Sequence, residues 1–119
     1  MKITSVHGSG GKETSLLIHN LFAKAFQNPV LDRMEDSAVV AGASRIAMTT
    51  DSFVVTPLFF PGGDIGRLSV CGTVNDLLMA GAVPKYLTCG FILEEGSDTE
   101  ILEKIVLSMA ETAKESGVF

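Results

Sequence analysis

Two aspartates interrupt apolar or branched stretches, Asp51 within Thr-Thr-Asp-Ser-Phe-Val-Val and Asp76 after Asn75 in a greasy run, and a third, Asp36, stands at the entry to Ser-Ala-Val-Val-Ala, where a carboxylate commonly just avoids burial. Carboxylates gathered at one place repel one another unless a cation lies between them. Magnesium is the natural cation, since it takes oxygen ligands and commonly brings a nucleotide's phosphates with it. Residues 7–12, His-Gly-Ser-Gly-Gly-Lys, supply the complementary half, because glycine-rich backbone can turn several N–H groups towards a phosphate. The loop is not a Walker loop, since the required first glycine falls on Val6 and Glu13 follows Lys12. Nor is it GxGxxG, whose third glycine would fall on Glu13. On the residues alone, a metal–phosphate site and three unrelated surface acids beside a disordered arm both stand open. His19 has no partner at ligand spacing and reads as a surface histidine. Cys71 and Cys89 lack CxxC spacing and read as small buried hydrophobes.

Those residues need elements to hold them. Residues 64–82 form the central helix, capped by Asp64 and closed by Gly81, with Pro84 preventing continuation. Gly66 and Gly72 each cost about 1 kcal/mol in a helix interior relative to alanine, which implies that something approaches the backbone there. An amphipathic helix is expected over residues 13–27, with Ile18, Leu21, Phe22 and Ala25 on its buried face. Ser97 and Asp98 open a last helix that Gly117 closes, with Glu100 and Glu103 near its positive end and Lys114 near its negative end. Strand character marks residues 37–41 and 46–55, expected to pair as a hairpin, then 85–95, with Val118-Phe119 beginning a further strand.

This order predicts an α+β two-layer sandwich, a mostly antiparallel sheet with helices on one face. An apolar open face on so small a sheet leaves a sticky edge, so a homodimer through the sheet is expected. Leu58, Phe59 and Phe60 must cover a core, line a site or meet a partner.

With 119 residues, 46% of them hydrophobic, the chain is one domain with a real core. Its net charge of −5, without a Lys/Arg cluster, argues against nucleic acid and anionic membranes as partners. No apolar run is long enough to span a bilayer and the first residues carry no signal-type stretch, so a cytoplasmic location is expected.

The segments His7–Gly11, Thr49–Val54, Pro57–Gly66, Cys71–Asp76 and Cys89–Gly96 resemble the hydrogenase maturation factor HypE family, within the ATP-binding superfamily of aminoimidazole ribonucleotide (AIR) synthetase. The resemblance covers nearly the whole chain, and the Pro-Leu-Phe-Phe-Pro-Gly-Gly-Asp-Ile-Gly and Cys-Gly-Thr-Val-Asn-Asp-Leu runs are its most specific parts. Selenophosphate synthetase, a relative, carries a reactive Cys or selenocysteine near its N-terminus, whereas no Cys precedes Cys71 here.

The resemblance implies ATP-dependent dehydration of a carbamoylated C-terminal cysteine to a thiocyanate, supplying cyanide to [NiFe]-hydrogenase. HypF would be the carbamoyl donor and the HypC–HypD complex the acceptor. It places Asp51 and Asp76 at the magnesium and phosphates, Asp76 being the residue most directly tied to catalysis, with Asp36 as a third metal ligand. Thr73 and Asn75 would contact the ATP, and Gly8, Ser9, Gly10 and Gly11 would close over it. The family continues with further ATP-site residues, a second domain and a terminal cysteine, none of them within 1–119. Residues 1–119 are therefore expected to be an N-terminal ATP-binding and dimerisation domain, inactive alone. A non-catalytic docking module, or another phosphoryl-transfer enzyme of the superfamily, is the alternative.

Overall fold

The computed structural model describes residues 1–119. Helix α1 (Lys12–Leu17) runs directly into π-helical turns over Ile18–Ala23. The helix expected over 13–27 is present, though wider in its second half than an apolar spacing of three and four predicts. Its inner side, Leu17, Leu21, Phe22, Ala25 and Phe26, packs on Ile3, Leu102 and Val106.

Helix α2 (Ile65–Met79) begins where Asp64, in extended backbone, accepts the Arg67 N–H at 2.8 Å. It ends on Gly81, whose φ of +72° lets the Ala82 N–H turn back to the Leu77 carbonyl at 3.1 Å. Helix α3 (Thr99–Ser116) is capped by Asp98, which accepts the Glu100 N–H at 3.3 Å, and closed by Gly117 at φ +70°. The Glu100 N–H and the Lys2 ammonium at 3.2 Å hold the Asp98 carboxyl below the usual carboxylate range. Helices α2 and α3 cross at Gly66: a Cβ there would collide with the Ile105 carbonyl oxygen and come within 3.1 Å of Met109 Cγ. Beside the crossing Val70, Val74, Met109 and Val118 form a second core cluster.

The ordered sheet is small. Strands β1 (Phe59–Phe60) and β2 (Gly63–Asp64) pair antiparallel, Phe59 opposite Asp64, around a turn in which Gly62 takes φ +91°. At the N-terminus Ile3 donates to the Ser97 carbonyl and accepts from Gly96, both at 2.8 Å. Phe119 lies between Lys85 and Leu87 in the parallel pattern, donating to the first and accepting from the second. The strand expected to start at Val118-Phe119 is present only as this pairing with 85–87, to which α3 returns the chain.

The α+β class holds, but the three expected strands do not assemble into one sheet. Residues 35–57 make no backbone-to-backbone hydrogen bond, and in 85–95 these are confined to the Lys85–Leu87 end and to the Glu94 carbonyl, which accepts the Ser97 N–H in a turn. From Leu31 to Leu58 every residue is exposed except Phe53 and Val55. The physical reason is cover. A strand needs another backbone to pair with, and Ile46, Met48, Val54 and Ile92 present apolar side chains that stay open to solvent in this chain. The radius of gyration of 15.0 Å exceeds the ~13.5 Å expected for a compact chain of this length.

Candidate functional site

The glycine loop is shaped by its own polar groups. His7 Nδ1 accepts the Thr4 N–H at 3.1 Å, which puts the ring proton of the neutral imidazole on Nε2. Ser9 Oγ donates to the Val6 carbonyl at 2.8 Å, and the Gly10 N–H donates to Thr14 Oγ1 at 3.0 Å. Gly10 takes φ +79°, which glycine adopts without strain. The N–H groups of Gly11, Lys12 and Glu13 have no partner within the chain. The loop is thus built rather than a loose arm, and it offers free donors of the kind a phosphate accepts.

On α2, Asn75 and Asp76 are exposed and engaged with nothing, while Thr73 Oγ1 donates to the Ser69 carbonyl at 2.8 Å. Asp51 is exposed and accepts only the N–H of Ser52, at 2.8 Å. Asp36 is exposed too, and none of these three acids takes part in an ion pair. They do not gather into a three-ligand cluster within one chain. Magnesium keeps several waters and commonly takes only one or two protein carboxylates beside substrate phosphates. Free, oxygen-only donors at Asp51 and Asp76 fit that requirement.

What joins Asp51 to α2 is a residue that sequence reasoning passed over. The Phe53 ring lies on Gly72, so that a Cβ there would sit 2.7 Å from Phe53 Cζ and 2.9 Å from Cε1. The misplaced glycine was the signal, and the partner was not readable from it. Ser108 was passed over as well: its Oγ donates to Asp64 Oδ1 at 2.7 Å, so that one oxygen of a buried carboxylate accepts both this hydroxyl and the Arg67 N–H.

The cysteine expectation is corrected in part, since Cys71 is half-buried but Cys89 is exposed. Residue 89 lies on the 85–95 segment, whose Leu87, Phe91 and Leu93 pack on the core clusters while Cys89 stays outside them, and partial desolvation of the sulfur raises the pKa of its thiol. An open cavity of about 570 Å³ is lined by His19, Asn20, Lys24, Gln27 and Asp32 among others and contains none of the candidate acids.

The arrangement defines a class: an α+β domain with an N-terminal glycine loop and unpaired acids on and beside a central helix. The chain belongs to the family described as AIR synthase related protein, N-terminal domain, which it matches over residues 34–119. It is 52% identical to the carbamoyl dehydratase HypE of Escherichia coli K12, over 98% of this chain and 36% of that protein. A crystal structure of the hydrogenase maturation protein HypE in complex with ATP superposes with a TM-score of 0.94 at 54% identity, covering 96% of this chain and 34% of the other. A HypE–HypF complex structure matches with a TM-score of 0.61 at 61% identity, over 86% and 33% of the two chains. The chain thus spans about a third of the length of the proteins it matches. No helix is long and apolar enough to cross a membrane.

Proposed function

We propose that residues 1–119 are the N-terminal ATP-binding and dimerisation domain of a HypE-type carbamoyl dehydratase, an enzyme of [NiFe]-hydrogenase maturation. The observation that carries this reading is the close likeness, over 96% of the chain, to a HypE that binds ATP. In the reaction, ATP phosphorylates the carboxamide oxygen of a carbamoylated C-terminal cysteine. That oxygen then leaves as phosphate while the nitrogen gives up both its protons, and a thiocyanate remains. An amide oxygen is a poor leaving group until it carries a phosphoryl group, which is why a nucleotide site is needed at all.

Within this domain Gly8, Ser9, Gly10 and Gly11 close over the phosphates, with the free N–H groups around Gly11 as donors. Thr73 and Asn75 hold the nucleotide, and Asp76 acts closest to the transferred group. Asp51 and Asp76, with Asp36 as the third carboxylate, hold magnesium, which supplies positive charge where negative charge develops in phosphoryl transfer. A second copy of the chain covers the apolar faces of 46–55 and 85–95 and completes the site. HypF, seen with HypE in a solved complex, delivers the carbamoyl group, and HypC–HypD receives the cyanide.

The test is the intact mass of the full-length protein after carbamoylation by its HypF partner and addition of magnesium and ATP. Loss of one water from the modified chain, absent in Asp76→Asn, is the expected result. ATP consumption without that loss would assign another phosphoryl transfer to the domain. No response to nucleotide would leave it a docking module.

A further inference from the structure

We propose that Phe53 is a positioning residue, whose ring on the bare backbone of Gly72 sets the register between the segment bearing Asp51 and the helical turn bearing Thr73, Asn75 and Asp76. The inference rests on the nucleotide-site reading above.

Residues 35–57 have no backbone hydrogen bond to the rest of the molecule, and the Ser52–Asp51 bond is internal to the segment. Side-chain contact alone therefore locates Asp51 on the helical body. Between Leu31 and Leu58 only Phe53 and Val55 are withdrawn from solvent. Side chains alternate along extended backbone, and the burial follows that period: Val54 is 95% exposed between the two. The same alternation puts Asp51 on the side of Phe53 and Val55.

On the helix, Gly72 precedes Asn75 and Asp76 by the three and four residues that make helical neighbours. The contact demands both residue types. A Cβ at Gly72 would come 2.7 Å from the ring, closer than side-chain atoms pack. A slip by one helical turn would carry Asp51 about 5.4 Å past Asp76, far more than a magnesium–oxygen bond of about 2.1 Å tolerates.

The experiment is calorimetric titration of the intact full-length protein with ATP, in magnesium and in EDTA, with melting temperature recorded for each variant. Phe53→Leu is expected to weaken ATP binding about tenfold in magnesium and less than about twofold in EDTA, as Asp51→Asn does. The double variant should be no weaker than the worse single, and Phe53→Tyr should restore binding. Gly72→Ala, which displaces the ring from the other side, should repeat the metal-specific loss without relying on a change at Phe53. Equal losses with and without metal, losses that multiply in the double variant, or wild-type binding by Gly72→Ala would overturn the proposal. Asp51→Asn binding like wild type would overturn the nucleotide-site assignment of Asp51 itself, and the positioning role with it.

Discussion

Ser108 Oγ donates to Asp64 Oδ1 at 2.7 Å, tying the middle of α3 to the residue that caps α2. The same carboxylate accepts the Arg67 N–H, and it is only 6% exposed. One buried group therefore starts the helix that carries Asp76 and fixes how α3 lies against it. Removing the hydroxyl leaves Asp64 short of a partner where water cannot fully replace it. Ser108→Ala should cost about 1–3 kcal/mol, read as a lower urea midpoint at unchanged slope. Asp64→Ala removes both bonds and should cost more than Ser108→Ala.

The helix crossing gives a second prediction. In open space, alanine for a helix-interior glycine gains about 1 kcal/mol. At Gly66 the added methyl would meet the Ile105 carbonyl oxygen, which is backbone and cannot swing aside. Gly66→Ala should therefore be destabilising by about 1–3 kcal/mol despite its propensity. Chemical denaturation checks this directly, and a stabilised variant would show that the crossing can slide apart.

How far these features were legible follows from their physics. The helix ends were readable because caps and stops are local: Asp64, Gly81, Asp98 and Gly117 act on neighbouring backbone, and each does what its type suggests. The strands were only half readable. Residues 46–55 have strand composition, but a strand exists only when another backbone lies beside it, and nothing in those ten residues says which one. For the candidate site, Asp51 and Asp76 could be chosen because a charge among apolar neighbours is anomalous. The Phe53–Gly72 contact that relates them could not, since it joins distant positions through shape. The π-helical turns over Ile18–Ala23 left no mark in the apolar spacing.

Acid should act through the cap of α3. The Glu100 N–H first, and the Lys2 ammonium next, depress the Asp98 carboxyl in the folded chain. A depressed carboxylate contributes stability above its unfolded pKa of about 3.9, and that contribution is lost as pH falls through the lower folded value. Asp98→Asn keeps a capping side chain but has no proton to gain. Between pH 7 and pH 3 the wild-type urea midpoint should fall further than that of Asp98→Asn. Because the carboxyl is solvent-accessible, the difference should shrink in added salt. Parallel curves at all pH values would remove Asp98 from the acid response.

The glycine loop gives the last prediction, which separates loop shape from loop chemistry. Gly10 sits at φ +79°, and the space where its Cβ would go is empty. Alanine there meets no clash, only the cost of a left-handed backbone, about 1–2 kcal/mol. Since the loop lies at the chain's edge and is not part of either core cluster, it can relax out of shape without unfolding the domain. Gly10→Ala should then leave the melting temperature of the full-length protein nearly unchanged while weakening ATP binding about fivefold or more. Gly8→Ala, at a glycine without positive φ and with nothing near its Cβ, should bind within about twofold of wild type by the same titration. If both variants bind alike, the bent conformation at Gly10 is not what presents the free N–H groups to the phosphates.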